Sequence, residues 1–128
     1  MVSHRWGCQT LYRKGKCLRL LTRLRSCPLW IQGGVRGFYP LEVAAGMDAA
    51  AVRRRYAKEV VLWGNVDKRV LTRGKAEIDA EMKRLAPVVA QGGFIPLVDH
   101  QVPDDVPLEN YLYYLERRRQ MSEAPCAG

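Results

Sequence analysis

From about residue 35 onward, short unbroken apolar runs alternate with longer stretches whose apolar residues recur at helical spacing. The short runs predict strands and the longer stretches predict amphipathic helices. Three strand-then-helix units result. In the first, residues 35–41 (VRGFYPL) form a strand ending at Glu42, and residues 48–58 (DAAAVRRRYAK) form a helix with Ala51, Val52 and Tyr56 on its apolar side. In the second, residues 60–63 (VVLW) form a strand leading into Gly64, Asn65, Val66 and Asp67. Helix then begins near Lys68, breaks at Gly74 and resumes to about Ala90, with Ile78, Met82 and Leu85 facing inward. Pro87 is expected to kink that helix or end it a turn early.

The third unit carries the clearest signals. Residues 94–98 (FIPLV) are too short for a helix and lie between Gly92-Gly93 and Asp99-His100, which suits a strand covered on both faces. Asp104 and Asp105 favour a helix N-terminus, Pro107 suits the first helical position, and Glu109 falls in the first turn. Leu108, Leu112 and Leu115 form the apolar stripe of that helix. Arg117, Arg118 and Arg119 place positive charge at its C-terminal end, where the helix dipole favours it.

Strands alternating with helices imply a parallel sheet with right-handed crossovers, that is, an α/β protein. In such folds chemistry gathers where strands end, which makes His100 the first residue to suspect. Gly33-Gly34 and Gly92-Gly93 precede strands and most simply end the helices before them. A phosphate-cradling loop would follow a strand and open a helix, so no nucleotide site is read here. Three parallel strands alone leave unpaired edges, so the units belong to a larger assembly.

The charge changes the picture only when divided along the chain. The net charge is +8, yet residues 1–36 hold eight Lys and Arg and no acid, while the remainder holds 13 basic and 13 acidic residues. A neutral body is a poor nucleic-acid-binding domain, although the arm can attract polyanions. Cys8, Cys17, Cys27 and Cys126 lack the spacing of a zinc site or a disulfide framework, which points to a reducing, cytoplasmic setting. No apolar run approaches the roughly 20 residues of a membrane span. Residues 1–27 show neither a strand nor a well-formed helix and read as an atypical basic arm, disordered or non-native. Non-native sequence, from a wrong start or a frame error, ranks ahead of a transit peptide or an arm contacting an acidic partner. Residues 28–120 carry the βα units, and residues 121–128 form a tail.

The segments GVRGFYPLEVAAGMD (34–48), LWGNVDKRVLTRG (62–74) and GGFIPLVDHQVPDDVPLENYLYYLE (92–116) have a diagnostic order and spacing. Together they resemble the C-terminal portion of the uroporphyrinogen decarboxylase superfamily, which also contains corrinoid- and cobalamin-dependent methyltransferases. The resemblance implies a partial (β/α)8 barrel comprising about the last three βα units. A full barrel takes roughly 250 residues, so about five units would lie outside this chain.

By that resemblance Glu42, Asn65, Asp67 and His100 stand at successive strand ends around one barrel mouth, with His100 and Asp67 as catalytic candidates and Glu42 and Asn65 as substrate-binding ones. The decarboxylases have histidine at the position of His100, close to substrate carboxylates, whereas the methyltransferases place a zinc-binding cysteine there. A decarboxylase implies no cofactor. A methyltransferase implies zinc, with His100 as a candidate ligand, and a corrinoid. The family's main catalytic aspartate and its arginine-rich substrate loop have no counterpart here. The implied substrate of the full-length parent is a tetrapyrrole or another small molecule, and the chain alone is expected to be inactive. A complementing N-terminal half or a homodimer would supply the rest of a barrel. A non-enzymatic module acting through the basic arm is the alternative from another class.

Simpler roles compete at each position. Asp67 can cap the turn beginning at Lys68, and Glu42 can bond backbone groups of the loop at residues 44–47. Asp99 is expected to be exposed or bonded to a loop. Tyr111, Tyr113 and Tyr114 suit packing on a barrel exterior. Arg53, Arg54 and Arg55, like Arg117 to Arg119, are expected to be solvated helix-end charge.

Overall fold

A computed structural model describes residues 27–56 and 59–123, together with the backbone of residues 19–21. The first strand, β1 (Arg19–Leu21), pairs in parallel with β2 (Gly37–Leu41), and helix α1 (Cys27–Gln32) connects them. After a 3-10 turn at Val43–Ala45 come helix α2 (Ala49–Tyr56), strand β3 (Val61–Val66) and the short helix α3 (Val70–Arg73). Helix α4 (Lys75–Ala90), strand β4 (Phe94–Val98) and helix α5 (Leu108–Glu123) complete the described chain.

Among the described residues the sheet is parallel throughout, in the order β1-β2-β3-β4. Each new strand is thus added to the same edge. With right-handed crossovers, that order keeps successive helices on one face. A doubly wound sheet reverses direction and places helices on both. The architecture is an open α/β sheet, as expected, and is consistent with part of a βα barrel.

The core lies between the sheet and its helices. Phe38 and Leu41 of β2, Leu62 and Val66 of β3, and Phe94 and Val98 of β4 are buried with Val52, Leu71, Ile78, Met82, Leu85 and Tyr114. On the alternate positions Tyr39, Val61, Trp63, Ile95 and Leu97 are only half-buried. Residues 94–98 are therefore covered fully on one face, not on both as the sequence suggested. The reason is the single-sided placement of the helices.

Other expectations also need correction. The region read as lacking any strand contains β1, whose three residues are too few to display a period and are held by the ladder to β2. The other readings of residues 1–18 and 22–26, the tail at 124–128, and Cys8, Cys17 and Cys126 lie outside the described residues. The second predicted strand continues past Gly64 and Asn65 to Val66, because β4 pairs with it along that whole length. Pro87 does not end its helix, which runs on to Ala90. Pro87 and Lys83 are both exposed, so the Lys83 carbonyl that loses its helical partner faces solvent. The break at Gly74 does occur, with φ 120° separating α3 from α4.

The inward face of α5 is not the leucine stripe. Leu108 is 70% and Leu112 55% exposed, whereas Tyr114 is 1% exposed. Burial pushes the Tyr114 phenol up to about 12, and its hydroxyl donates to the Pro96 carbonyl at 3.0 Å. Arg53 is also not solvated charge. It is 3% exposed, donating to the carbonyls of Val60 at 3.0 Å and Gly93 at 2.7 Å, and burial lowers its pKa. Helix α2 is thereby fastened to the turns before β3 and β4. A Cβ at Gly93 would lie 3.1 Å from the Arg53 guanidinium, and φ at Gly93 is 67°. Glycine serves both the turn and the close approach there. Arg117 and Arg119 are engaged too, the first with Asp79 and the second with Glu116 and Glu123.

Candidate functional site

Parallel strands end on one edge of the sheet, and here each of three strands is followed at once by an acid. Glu42 follows β2, Asp67 follows β3 and Asp99 follows β4. The three carboxylates share a position in the repeat but not a task.

Asp99 is fully buried. Its Oδ2 accepts from the Val43 N–H at 2.8 Å and its Oδ1 from the Lys68 N–H at 3.1 Å. Its own N–H donates to the Val66 carbonyl at 2.9 Å. The side chain thus joins the exits of all three strands. Burial pushes its pKa up, and the two backbone donors partly oppose that shift.

Asp67 turns back on its own loop. Its Oδ1 accepts from the Arg69 N–H at 3.0 Å, and both oxygens pair with the Arg69 guanidinium at 2.7–3.0 Å. That side-chain pairing chiefly holds the Asp67 carboxyl below the usual carboxylate range. The expected capping role is realised at this residue. Glu42 faces across the edge, its Oε1 accepting from Lys68 Nζ at 3.3 Å, while its carbonyl accepts from the N–H groups of Ala45 and Met47.

Asn65 is fully buried and adopts a left-handed conformation with φ 63°, which asparagine tolerates better than most residues. Its amide group donates to the Leu41 carbonyl at 3.2 Å and the Met47 carbonyl at 2.7 Å, and its Oδ1 accepts from the Ala49 N–H at 3.0 Å. From α4, Arg84 donates to the Asn65 carbonyl at 2.7 Å and pairs with Glu81, whose Oε1 accepts from the Asp67 N–H at 3.0 Å. Asn65 therefore fixes the loop that presents Glu42. Beside it, a Cβ on Gly64 would come within 2.9 Å of the Leu41 nitrogen, so β2 and β3 meet closely at this edge.

His100 is exposed. It lines a shallow open groove with Lys68, Gln101, Val102, Pro103 and Asp104. Among the described residues it is not hydrogen-bonded to Glu42, Asn65 or Asp67. The structure therefore brings Lys68 and His100 to one groove, pairs Glu42 with Lys68, buries Asn65 and Asp99, and turns Asp67 toward Arg69. Sequence reasoning gave Lys68 no role and Asp99 no candidate role beyond being exposed or bonded to a loop; Asp99 is loop-bonded but fully buried. The available signal was the acid repeated immediately after each strand. Among the described residues no group of three His, Cys, Asp or Glu side chains is placed to hold a metal ion.

The family model described as Uroporphyrinogen decarboxylase (URO-D) matches residues 26–121, three quarters of the chain. The chain belongs to the uroporphyrinogen decarboxylase family. Within that family the open parallel sheet is consistent with part of a (β/α)8 barrel. A search of the curated proteins finds no match to the chain. Among the described residues no helix is long and apolar enough to cross a membrane.

Proposed function

We propose that residues 26–121 supply the closing βα units of a barrel that decarboxylates the acetate side chains of a tetrapyrrole, and that the chain is inactive by itself. Family membership together with a histidine at the end of β4 carries this reading. His100 sits where an imidazole N–H can orient a substrate carboxylate. Lys68 borders the same groove and pairs with Glu42, while Asn65 and Asp99 hold the loops in place.

The chemistry of such a step needs no cofactor. Protonation of a pyrrole ring carbon gives a cation, the C–C bond to the carboxylate breaks, and the electron pair neutralises that cation as carbon dioxide leaves. A proton then adds to the exocyclic methylene carbon, and the ring carbon releases the proton it took up, restoring the pyrrole. The net change is one proton in and one carbon dioxide out. Preorganised negative charge near the ring stabilises the cation. Glu42 can contribute to that field, and Asp67 acts mainly on the β3 exit loop. The principal acid belongs to units outside residues 26–121.

Co-expression with the preceding βα units of a family member tests the proposal. The assembled barrel should release carbon dioxide from uroporphyrinogen, the isolated chain should not, and His100→Ala should lower the assembled rate about 10- to 100-fold. Turnover by the isolated chain would refute inactivity alone. An assembled barrel that moves methyl groups to a corrinoid and leaves uroporphyrinogen untouched would replace the proposed chemistry with methyl transfer.

A further inference from the structure

Lys68 reaches all three strand exits. It belongs to the β3 exit, its N–H is held by Asp99 from the β4 exit, and its Nζ lies 3.3 Å from Glu42 at the β2 exit. Its side chain also lines the groove that contains His100. The pair with Glu42 is open to water, with the two side chains 23% and 29% exposed. Its separation exceeds the roughly 2.7–2.9 Å of a tight charge-assisted hydrogen bond. The neighbouring charges are already committed: Arg69 to Asp67, and Asp99 to two backbone N–H groups. Asp104, the one acid lining the groove, is exposed and screened by solvent.

We propose that Lys68 is a carboxylate-binding residue kept in place by Glu42, and that Lys68 and His100 form a subsite for one carboxylate group of a small-molecule ligand. The ligand carboxylate takes the position of the Glu42 carboxylate, so one ion pair is exchanged for another and no charge is left bare. Glu42 is then both placeholder and competitor. The assignment rests on the reading of this edge as a substrate mouth, and it adds a residue and an exchange that the family match does not supply.

The competition gives the test its sign. The 128-residue chain is titrated with propane-1,2,3-tricarboxylate at low salt while backbone amide and histidine ring signals are followed by NMR. Saturable shifts at the Lys68 amide and the His100 ring are expected. Lys68→Met should weaken binding about tenfold, and Glu42→Gln should tighten it about two- to fivefold by removing the competing acid. A merely structural Glu42–Lys68 pair predicts unchanged or weaker binding in Glu42→Gln. That result would overturn the proposal, as would shifts confined to residues 1–36, whose eight Lys and Arg attract anions by themselves. The amide spectrum of each variant checks its fold. The same substitution in the assembled barrel separates the two readings. Decarboxylation with an unchanged KM in Lys68→Met removes the subsite alone, whereas tricarboxylate binding without decarboxylation removes the activity alone.

Discussion

Asp99 Oδ2 accepts a 2.8 Å hydrogen bond from the Val43 N–H, 56 residues earlier in the chain. With its second oxygen on the Lys68 N–H, one buried carboxylate ties together three loops that follow three different strands. Asp99→Ala leaves both donors without that acceptor. It should destabilise the chain by about 2–4 kcal/mol, read as a lower midpoint of urea unfolding at unchanged slope.

The same residue sets a pH dependence. Burial raises the Asp99 pKa in the folded state, so between its ordinary value near 3.8 and the raised value the folded chain binds more protons than the unfolded one. The contribution of Asp99 to stability is therefore fullest below that ordinary value and falls as pH rises through the folded one. Urea unfolding of the wild type and Asp99→Asn at pH 4, 5, 6 and 7 checks this. The stability difference should shift toward the wild type as pH is lowered, and a shift in the other direction contradicts the assignment.

Three consecutive arginines in α2 should behave differently. Arg53→Ala removes a buried side chain and two donors to the Val60 and Gly93 carbonyls. A loss of about 3 kcal/mol is expected. Arg54 is exposed, and Arg54→Ala should stay within about 0.5 kcal/mol of wild type in the same unfolding assay.

Asn65→Ala should be among the costliest single changes. It strips the hydrogen bonds to Leu41, Met47 and Ala49 and places alanine at φ 63°. About 3–5 kcal/mol is expected from the unpaired buried groups and the backbone strain together. Amide exchange should accelerate at Ala49 first, since its N–H loses its acceptor.

On α5 the contrast is between a buried tyrosine and exposed leucines. Tyr114→Phe deletes the bond to the Pro96 carbonyl and should cost about 1–2 kcal/mol, whereas Leu112→Ser should change the stability of the isolated chain by less than about 0.5 kcal/mol. Thermal unfolding of the two variants side by side distinguishes the faces.

What the sequence made legible was local. Residues 94–98 between two glycines and an Asp-His pair gave β4 with its observed ends, and the Ile78, Met82 and Leu85 repeat gave the inward face of α4. The role of Asp99 was not legible, because its partners at Val43 and Lys68 are brought to it only by the parallel sheet. Lys68 is similarly defined by side chains from other units. Arg53 was misread although a signal existed: Ala49, Val52, Arg53 and Tyr56 fall at i, i+3, i+4 and i+7, which puts the arginine on the inward stripe. Its charge argued for solvent, and the Val60 and Gly93 carbonyls that offset its burial are not neighbours in sequence. The leucines of α5 failed for the opposite reason. Their spacing was helical, but tyrosine supplied the larger apolar surface and a hydroxyl that reaches β4.

The hydroxyl of Tyr114 has a consequence for the open edge of the sheet. Asp99 gives its N–H to β3, and alternate residues of a parallel strand point their backbone groups the same way, so Pro96 presents its backbone to the outer side of β4. At the middle of that side proline has no N–H to offer, and its carbonyl is already taken by Tyr114. Any strand that joins β4 on that side, a further barrel strand included, must do so without a donor at Pro96 and must share the Pro96 carbonyl with Tyr114.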